Sequence, residues 1–426
     1  MRHHGISPHP HPHSNAHSHA VTLAHARRSS RTSSTASTAT TAAFQFVIDR
    51  FLLLPIGVGI AIVWANTFAE SYFRMSHALS FVVNEVGMAF FLALISQEVL
   101  EAVMPGGALH SWRRWGMPLV AAAGGLAGAA LVYLAYVHVA YELMLSQAWP
   151  IACAIDVAAA YFVMKTIAPR SGALPFVLLL AIATDVVGLA IVAPRYESYF
   201  APDSRPTGTV LFLIAIGIAA LMRASRVRAF WPYLAIGGTV SWWAFYWVGL
   251  HPALALVPIV PFLPHEPRSV DLFADPPDDD ATHRFEHEWN TLVQGILFCF
   301  GLVNGGVVFS AYGTGTWAVL TAAFVGRPAG ILIAVGLAVA AGLHLPRRIG
   351  WRELIVMSLA TSSGFVFALF FATGVMPIGP LLAEIKIGAL ATAAGALLTV
   401  AAAWLLKVGK FAPPRHARPH VSSEVS

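Results

Sequence analysis

Charge is scarce in this 426-residue chain. Asp, Glu, Lys and Arg together make up 11% of it, against about 25% in an ordinary soluble domain, while 57% is hydrophobic. That balance excludes a water-soluble fold and implies an integral membrane protein. Cysteine is nearly absent: the two residues, Cys153 and Cys299, both fall in apolar runs and read as small packing residues. No disulfide framework, metal centre or cofactor site follows from them. An apolar signal-peptide core is also missing before Phe51, which argues against a cleaved leader. The net charge of +5 is no sign of nucleic-acid binding, because in such a chain the distribution of Lys and Arg carries the information.

What the sequence has in abundance is apolar runs of roughly 20 residues, the length of a bilayer-crossing helix. About twelve recur, near 51–66, 79–104, 117–139, 149–168, 174–193, 207–222, 230–248, 251–263, 289–310, 317–343, 354–375 and 378–407. Strands of a membrane barrel would be shorter and would alternate, so the fold class is all-α. With the N-terminus inside, cytoplasmic segments hold 21 of the 26 basic residues, outside segments hold 4, and Arg327 is left inside a span. Both termini are therefore expected in the cytoplasm, of a multi-pass protein of the inner membrane. Residues 1–48 form a His/Ser/Thr-rich tail with no acidic residue before Asp49 and 8 of the chain's 18 histidines; such a segment cannot bury a core and is expected to be disordered. The membrane domain runs over 49–410, and 411–426 form a cytoplasmic tail. The one long loop, 265–288, is an acidic cytoplasmic linker.

Two spans look interrupted: "SQAWPIACAIDVAAAYFVMK", with Pro150 and Asp156, and "SLATSSGFVFALFFATG", with Ser362, Ser363 and Gly364. Paired broken helices in two halves of a chain point to a binding site, since unwound backbone is tolerated at depth only where it lines a cavity. The same residues would also suit a Pro near a helix start and a close-packed Ser/Gly helix face. Three charges lie deep. Asp185, in "AIATDVVGLAIV", sits roughly 15 Å from either membrane face, Arg327 is similarly placed, and Asp156 follows Trp149 by seven residues. Each costs several kcal/mol in hydrocarbon and should face a partner or a cavity. Asp156 or Asp185 is expected to pair with Arg327 as a structural ion pair that also neutralises the half-helix ends of the broken spans, and pairing through Asp156 leaves Asp185 unpaired. Desolvation disfavours a charged carboxylate, so a proton and a small cation compete for it, which is the chemistry of antiport. Thr184 offers a hydroxyl oxygen beside it, or bonds its own helix backbone, as membrane threonines commonly do.

These segments resemble the NhaA family of sodium/proton antiporters, itself a type case of the inverted-repeat transporters. The resemblance runs in order from about Asp49 to Lys410. "VWANTFAESYF" and "NEVGMAFFLALISQEV" resemble the family's WANSP-like and N-D-x-x-M-A-x-F-F-x-x-x-G-L-E segments, and "IACAIDVAAA" its broken fourth helix. "LAIATDVVGLAIVA" resembles the ion-binding fifth helix, A-I-x-D-D-L-G-A-I. "VGLHPALA", "RFEHEW", "FVGRPAGI" and "SSGFVFALF" resemble S-G-V-H-A-T-L-A-G, R-L-E-H-x-L, x-x-G-K-P-L-G-I and G-I-G-F-T-M-S-I-F.

The resemblance implies an inverted-repeat fold of about twelve helices with two broken crossing helices. It also implies exchange of Na+ or Li+ for H+, serving pH and sodium homeostasis. Asp185 then matches the central cation and proton carboxylate, Asp156 the carboxylate of the broken helix, and Arg327 the tenth-helix lysine. Glu98, His251 and Glu286 match positions associated with the pH response. Departures are equally informative: Thr184 stands in place of the first aspartate of the family's pair, Ile155 in place of a threonine, and Arg327 in place of lysine. Thr184 carries no exchangeable proton and arginine stays charged, so exchange is expected closer to electroneutral, unless Asp156 supplies a second proton or cation transport is impaired. The segment 67–78 is too short for the β-hairpin through which family members form homodimers. No ATP-binding lysine motif is present, which agrees with a gradient-driven carrier rather than an enzyme. The rival expectations are a proton-coupled carrier of another cation or solute, and a non-transporting sensor or scaffold; a midplane carboxylate, costly and idle in a scaffold, argues against the second.

Overall fold

Backbone polar groups inside a bilayer must be satisfied within the protein, and helices achieve this segment by segment. All regular structure among the described residues is accordingly helical, with no strand. The computed structural model describes residues 53–103, 115–169, 172–193, 205–227, 229–264, 281–346 and 349–412, without the side chains of 98, 99, 101–103 and 281–291. The N-terminal tail, most of the acidic loop and the end of the C-terminal tail lie outside the described residues.

Helix α1 spans Leu53–Thr67 and α2 Ala69–Phe81; a π-helical turn at Val82–Gly87 joins α2 to α3, Met88–Val103. The segment 67–78, read from the sequence as a loop, is therefore mostly helix. Its first turns are steadied by an Arg74–Glu70 pair at 2.7 Å and by the buried Tyr72 ring. Next come α4 (Gly116–Val139), the short α5 (Trp149–Ala152), α6 (Val157–Ile167), α7 (Ala173–Val192), α8 (Arg205–Ala224) and α9 (Thr239–Val248). The expected span 251–263 is not continuous α-helix. It forms two 3-10 turns, Pro252–Leu254 and Val260–Phe262, because Pro252, Pro258 and Pro261 remove the amides an α-helical ladder needs. Helix α10 (Ala281–Asn304) follows, then α11 (Thr314–Thr321), a π turn at Ala322–Gly326, α12 (Arg327–Ala340), α13 (Trp351–Ala360), α14 (Phe365–Val375), α15 (Pro380–Ala391) and α16 (Gly395–Leu405).

Among the described residues, six continuous helical stretches are long and apolar enough to cross a membrane, and two bent pairs, Leu143–Ala152 with α6 and α13 with α14, bring the number to eight. Helix α1 and residues 292–304 of α10 are shorter apolar helices. The order exposes an internal repeat. A long span, α4, is followed by a broken span bent by 50° and then by α7; the long α11–α12 span is followed by a broken span bent by 47° and then by α15–α16. One core binds the two repeats: Ile155, Met164, Phe176 and Val177 pack with Ile331, Leu354, Met357 and Ala403.

Close backbone approach sets the position of the repeats. Helices α4 and α12 cross on Gly124, Gly128, Gly326 and Gly330, two small-xxx-small pairs. A Cβ on Gly330 would stand 2.1 Å from the Gly124 carbonyl, and one on Gly128 2.3 Å from that of Gly326. Arg327 lies within this crossing, between Gly326 and Gly330, so the glycines fix where its side chain starts.

Candidate ion site

The first break lies at Cys153–Asp156. Pro150 suits the first turn of α5, where its missing amide is no loss. The chain turns at Cys153 and leaves the helical conformation before the extended Asp156 (φ −91, ψ 100) caps α6, with Oδ1 accepting from the Ala159 amide at 3.1 Å. The second break is Thr361–Gly364. Here the chains touch: Asp156 N donates to the Ser363 carbonyl at 2.8 Å. Gly364 lies so close to the first break that a Cβ on it would be 2.1 Å from the Ala154 carbonyl, which is why this position takes glycine.

Asp185 stands on α7, buried to 3% exposure. Its Oδ1 accepts from the Ile155 amide at 3.1 Å, so the midplane carboxylate holds the unwound backbone of the first break. Its Oδ2, equally buried, has no hydrogen-bond partner among the described residues. Thr184 is buried beside it and its hydroxyl donates to the Leu180 carbonyl at 2.9 Å. That is the local backbone bond weighed from the sequence; the hydroxyl oxygen keeps a lone pair.

Of the two partners expected for Arg327, a carboxylate or the half-helix ends, the side chain takes the second. It forms no ion pair with Asp156, and among the described residues its guanidinium meets no carboxylate within salt-bridge distance. It is spent on backbone instead: Nη1 donates to the Thr361 carbonyl, and Nη2 to those of Ala152 and Ala154 at 2.5 and 2.7 Å. Those carbonyls belong to the C-terminal ends of α5 and α13 and the unwound turn after α5. A helix broken at depth leaves its last carbonyls orphaned and its C-terminus partially negative, and the planar fork of one arginine answers both. Asp156 meanwhile neutralises the N-terminal end of α6. Each expected partner is thus satisfied by a helix terminus.

The expected pH-responsive residues do not gather at this crossing. His251 is 3% exposed; its backbone amide donates to the Ala193 carbonyl just past α7, and its Nδ1 lies 3.3 Å from the Ala253 amide and 3.6 Å from Glu85 Oε2. Glu85, on the π turn, was not singled out from the sequence. The signal that found Asp185, a carboxylate inside an apolar run, would have found it. Glu98 lies on α3 and Glu286 on α10, with side chains outside the described residues. Also missed were the glycine crossing of α4 and α12, and a polar fastening around the end of α10. There Tyr72 Oη accepts from the Gly306 amide at 2.9 Å and Asn84 and Asn304 bond each other.

Two broken helices in backbone contact, beside a buried carboxylate with one anchored and one unengaged oxygen, define an ion-coupled membrane carrier of the inverted-repeat class. Residues 50–406 match the family described as Na+/H+ antiporter 1. The chain is 41% identical over 370 residues to the Na(+)/H(+) antiporter NhaA of Geobacter metallireducens, covering 83% of this chain and 95% of that protein. It is 39% identical over 381 residues to the Desulfitobacterium hafniense NhaA, covering 86% and 96%. The chain belongs to the Na+/H+ antiporter family typified by these NhaA proteins. A solved structure, the sodium proton antiporter MjNhaP1 from Methanocaldococcus jannaschii at pH 8, shares the fold at 14% identity and a TM-score of 0.52, covering 84% of this chain and 91% of that one.

Proposed function

We propose that this antiporter exchanges Na+ or Li+ for H+ at Asp185 by alternating access, with one proton moved per cation. The observation that carries the reading is the carboxylate itself: Oδ1 is fixed to the Ile155 amide while Oδ2 is buried and unengaged. A proton or a small hard cation satisfies that oxygen, and occupancy by one excludes the other. The Thr184 hydroxyl and the Asp156 carboxylate are the adjoining oxygen donors. Near-electroneutrality follows from what the neighbours cannot do. Thr184 has no acidic proton, the Asp156 carboxylate is engaged as the cap of α6, and the Arg327 guanidinium, bonded to three carbonyls, stays charged throughout.

The protein works as a carrier and not as an enzyme, in the inner membrane with both termini cytoplasmic, as the excess of basic residues in the inward segments supports. Glu98, His251 and Glu286 make up the cytoplasmic pH response, and the contact of His251 with Glu85 supports a role for the imidazole in it. Residues 69–81 being helical, a homodimer would need a surface other than a β-hairpin there.

The test is purified protein in liposomes with a trapped pH dye, challenged with Na+, Li+ and K+, beside the Asp185→Asn variant. Na+ and Li+ should dissipate the pH gradient in the wild type and fail to do so in the variant. A variant as active as wild type, or a gradient that no cation dissipates, sinks the proposal.

A further inference from the structure

The two repeats treat their breaks alike. In the first, an amide of the unwound turn, Ile155 N, donates to Asp185, twelve residues beyond the start of α7. In the second, the amide of Gly364 donates at 3.2 Å to Thr392 Oγ1, twelve residues beyond the start of α15. Thr392 is buried to 3% and its hydroxyl in turn donates to the Ala389 carbonyl at 2.6 Å, so both of its bonding directions are committed. Gly395, three residues on, presses against the same turn: a Cβ there would stand 2.9 Å from Ser363 N. The second break hands its other backbone groups to the ion site, Thr361 O to Arg327 and Ser363 O to the Asp156 amide.

We propose that Thr392 is a positioning residue for cation binding, the inverted-repeat counterpart of Asp185. Its hydroxyl holds the Gly364 amide and so fixes where the Ser363 carbonyl meets Asp156. The division of labour follows from chemistry. The carboxylate of the first repeat keeps a charged oxygen for the ion, whereas the hydroxyl of the second carries no charge and has its proton and one lone pair engaged by backbone. This inference rests on the assignment of Asp185 as the ion site.

The test compares Thr392→Val, Thr392→Ser and Asp185→Asn in the same liposomes, with Na+ and Li+ titrated separately. Thr392→Val should raise the KM for Na+ about five- to tenfold, the factor carried by one hydrogen bond, with the maximal rate within about twofold of wild type. The Na+/Li+ preference should shift, and Thr392→Ser should restore both values. Should the Val variant fail to assemble, Thr392→Ala takes its place with the same expectation. A KM unchanged in the Val or Ala variant, a loss of maximal rate alone, or a Ser variant no better than Val overturns the proposal. An active Asp185→Asn variant instead removes the site assignment beneath it, so the two failures are distinct.

Discussion

Arg327 shows how much one side chain determines here. Depth alone marked it as costly, and a nearby carboxylate was the obvious remedy, yet the structure neutralises it with the carbonyls of interrupted helices. Removing it therefore orphans backbone rather than a carboxylate. Arg327→Met should destabilise the fold by about 1–3 kcal/mol for each carbonyl left unsatisfied, read as a lower unfolding temperature in detergent. Arg327→Lys should be milder for folding and more telling for function. An ammonium lacks the planar fork, and a lysine is able to lose its proton where an arginine is not. Its exchange rate should gain a dependence on imposed voltage that the wild type lacks; a voltage response equal to that of wild type would contradict the role given to the guanidinium. His251→Ala should displace the pH profile of transport while leaving the Na+ KM at optimal pH within about twofold, since the ring engages Glu85 and the turn at Ala253 rather than Asp185. A profile coincident with wild type would remove His251 from the pH response.

At the scale of elements, the crossing depends on glycine where backbones meet. Gly364→Ala places a methyl group 2.1 Å from the Ala154 carbonyl, so the two breaks must separate and the bond from Asp156 N to Ser363 must stretch. Transport should fall at least tenfold even where the protein still inserts and purifies as a single species, as measured in liposomes at equal protein content. Gly59, with no neighbour near its Cβ position, supplies the control: Gly59→Ala should leave activity unchanged. Much at this scale was legible in the sequence. Pro150 with Asp156, and Ser362, Ser363 and Gly364, marked both breaks. The helical character of 69–78 was not legible, because its mixed polar composition matches a loop as well as it matches a helix whose single buried ring, Tyr72, docks on α10.

For the whole molecule, the proposed sharing of Asp185 between a proton and a cation makes the substrates competitors. The apparent KM for Na+ should rise as pH falls, with maximal rate regained at saturating Na+; a pH effect on maximal rate alone would contradict competition at a single site. The sequence by itself determined the membrane class, the helical fold, the two breaks and the position of Asp185, because hydrophobic run length, helix-breaking residues and buried charge are properties a chain displays along its own length. Only the tertiary structure decided which partner each buried group takes. Asp156 caps α6, Arg327 gathers three carbonyls from both breaks, and Thr392 holds Gly364 within the second repeat. Those choices depend on helix ends brought together from distant parts of the chain, and the orphaned backbone groups that attract the side chains do not exist until the helices break and cross.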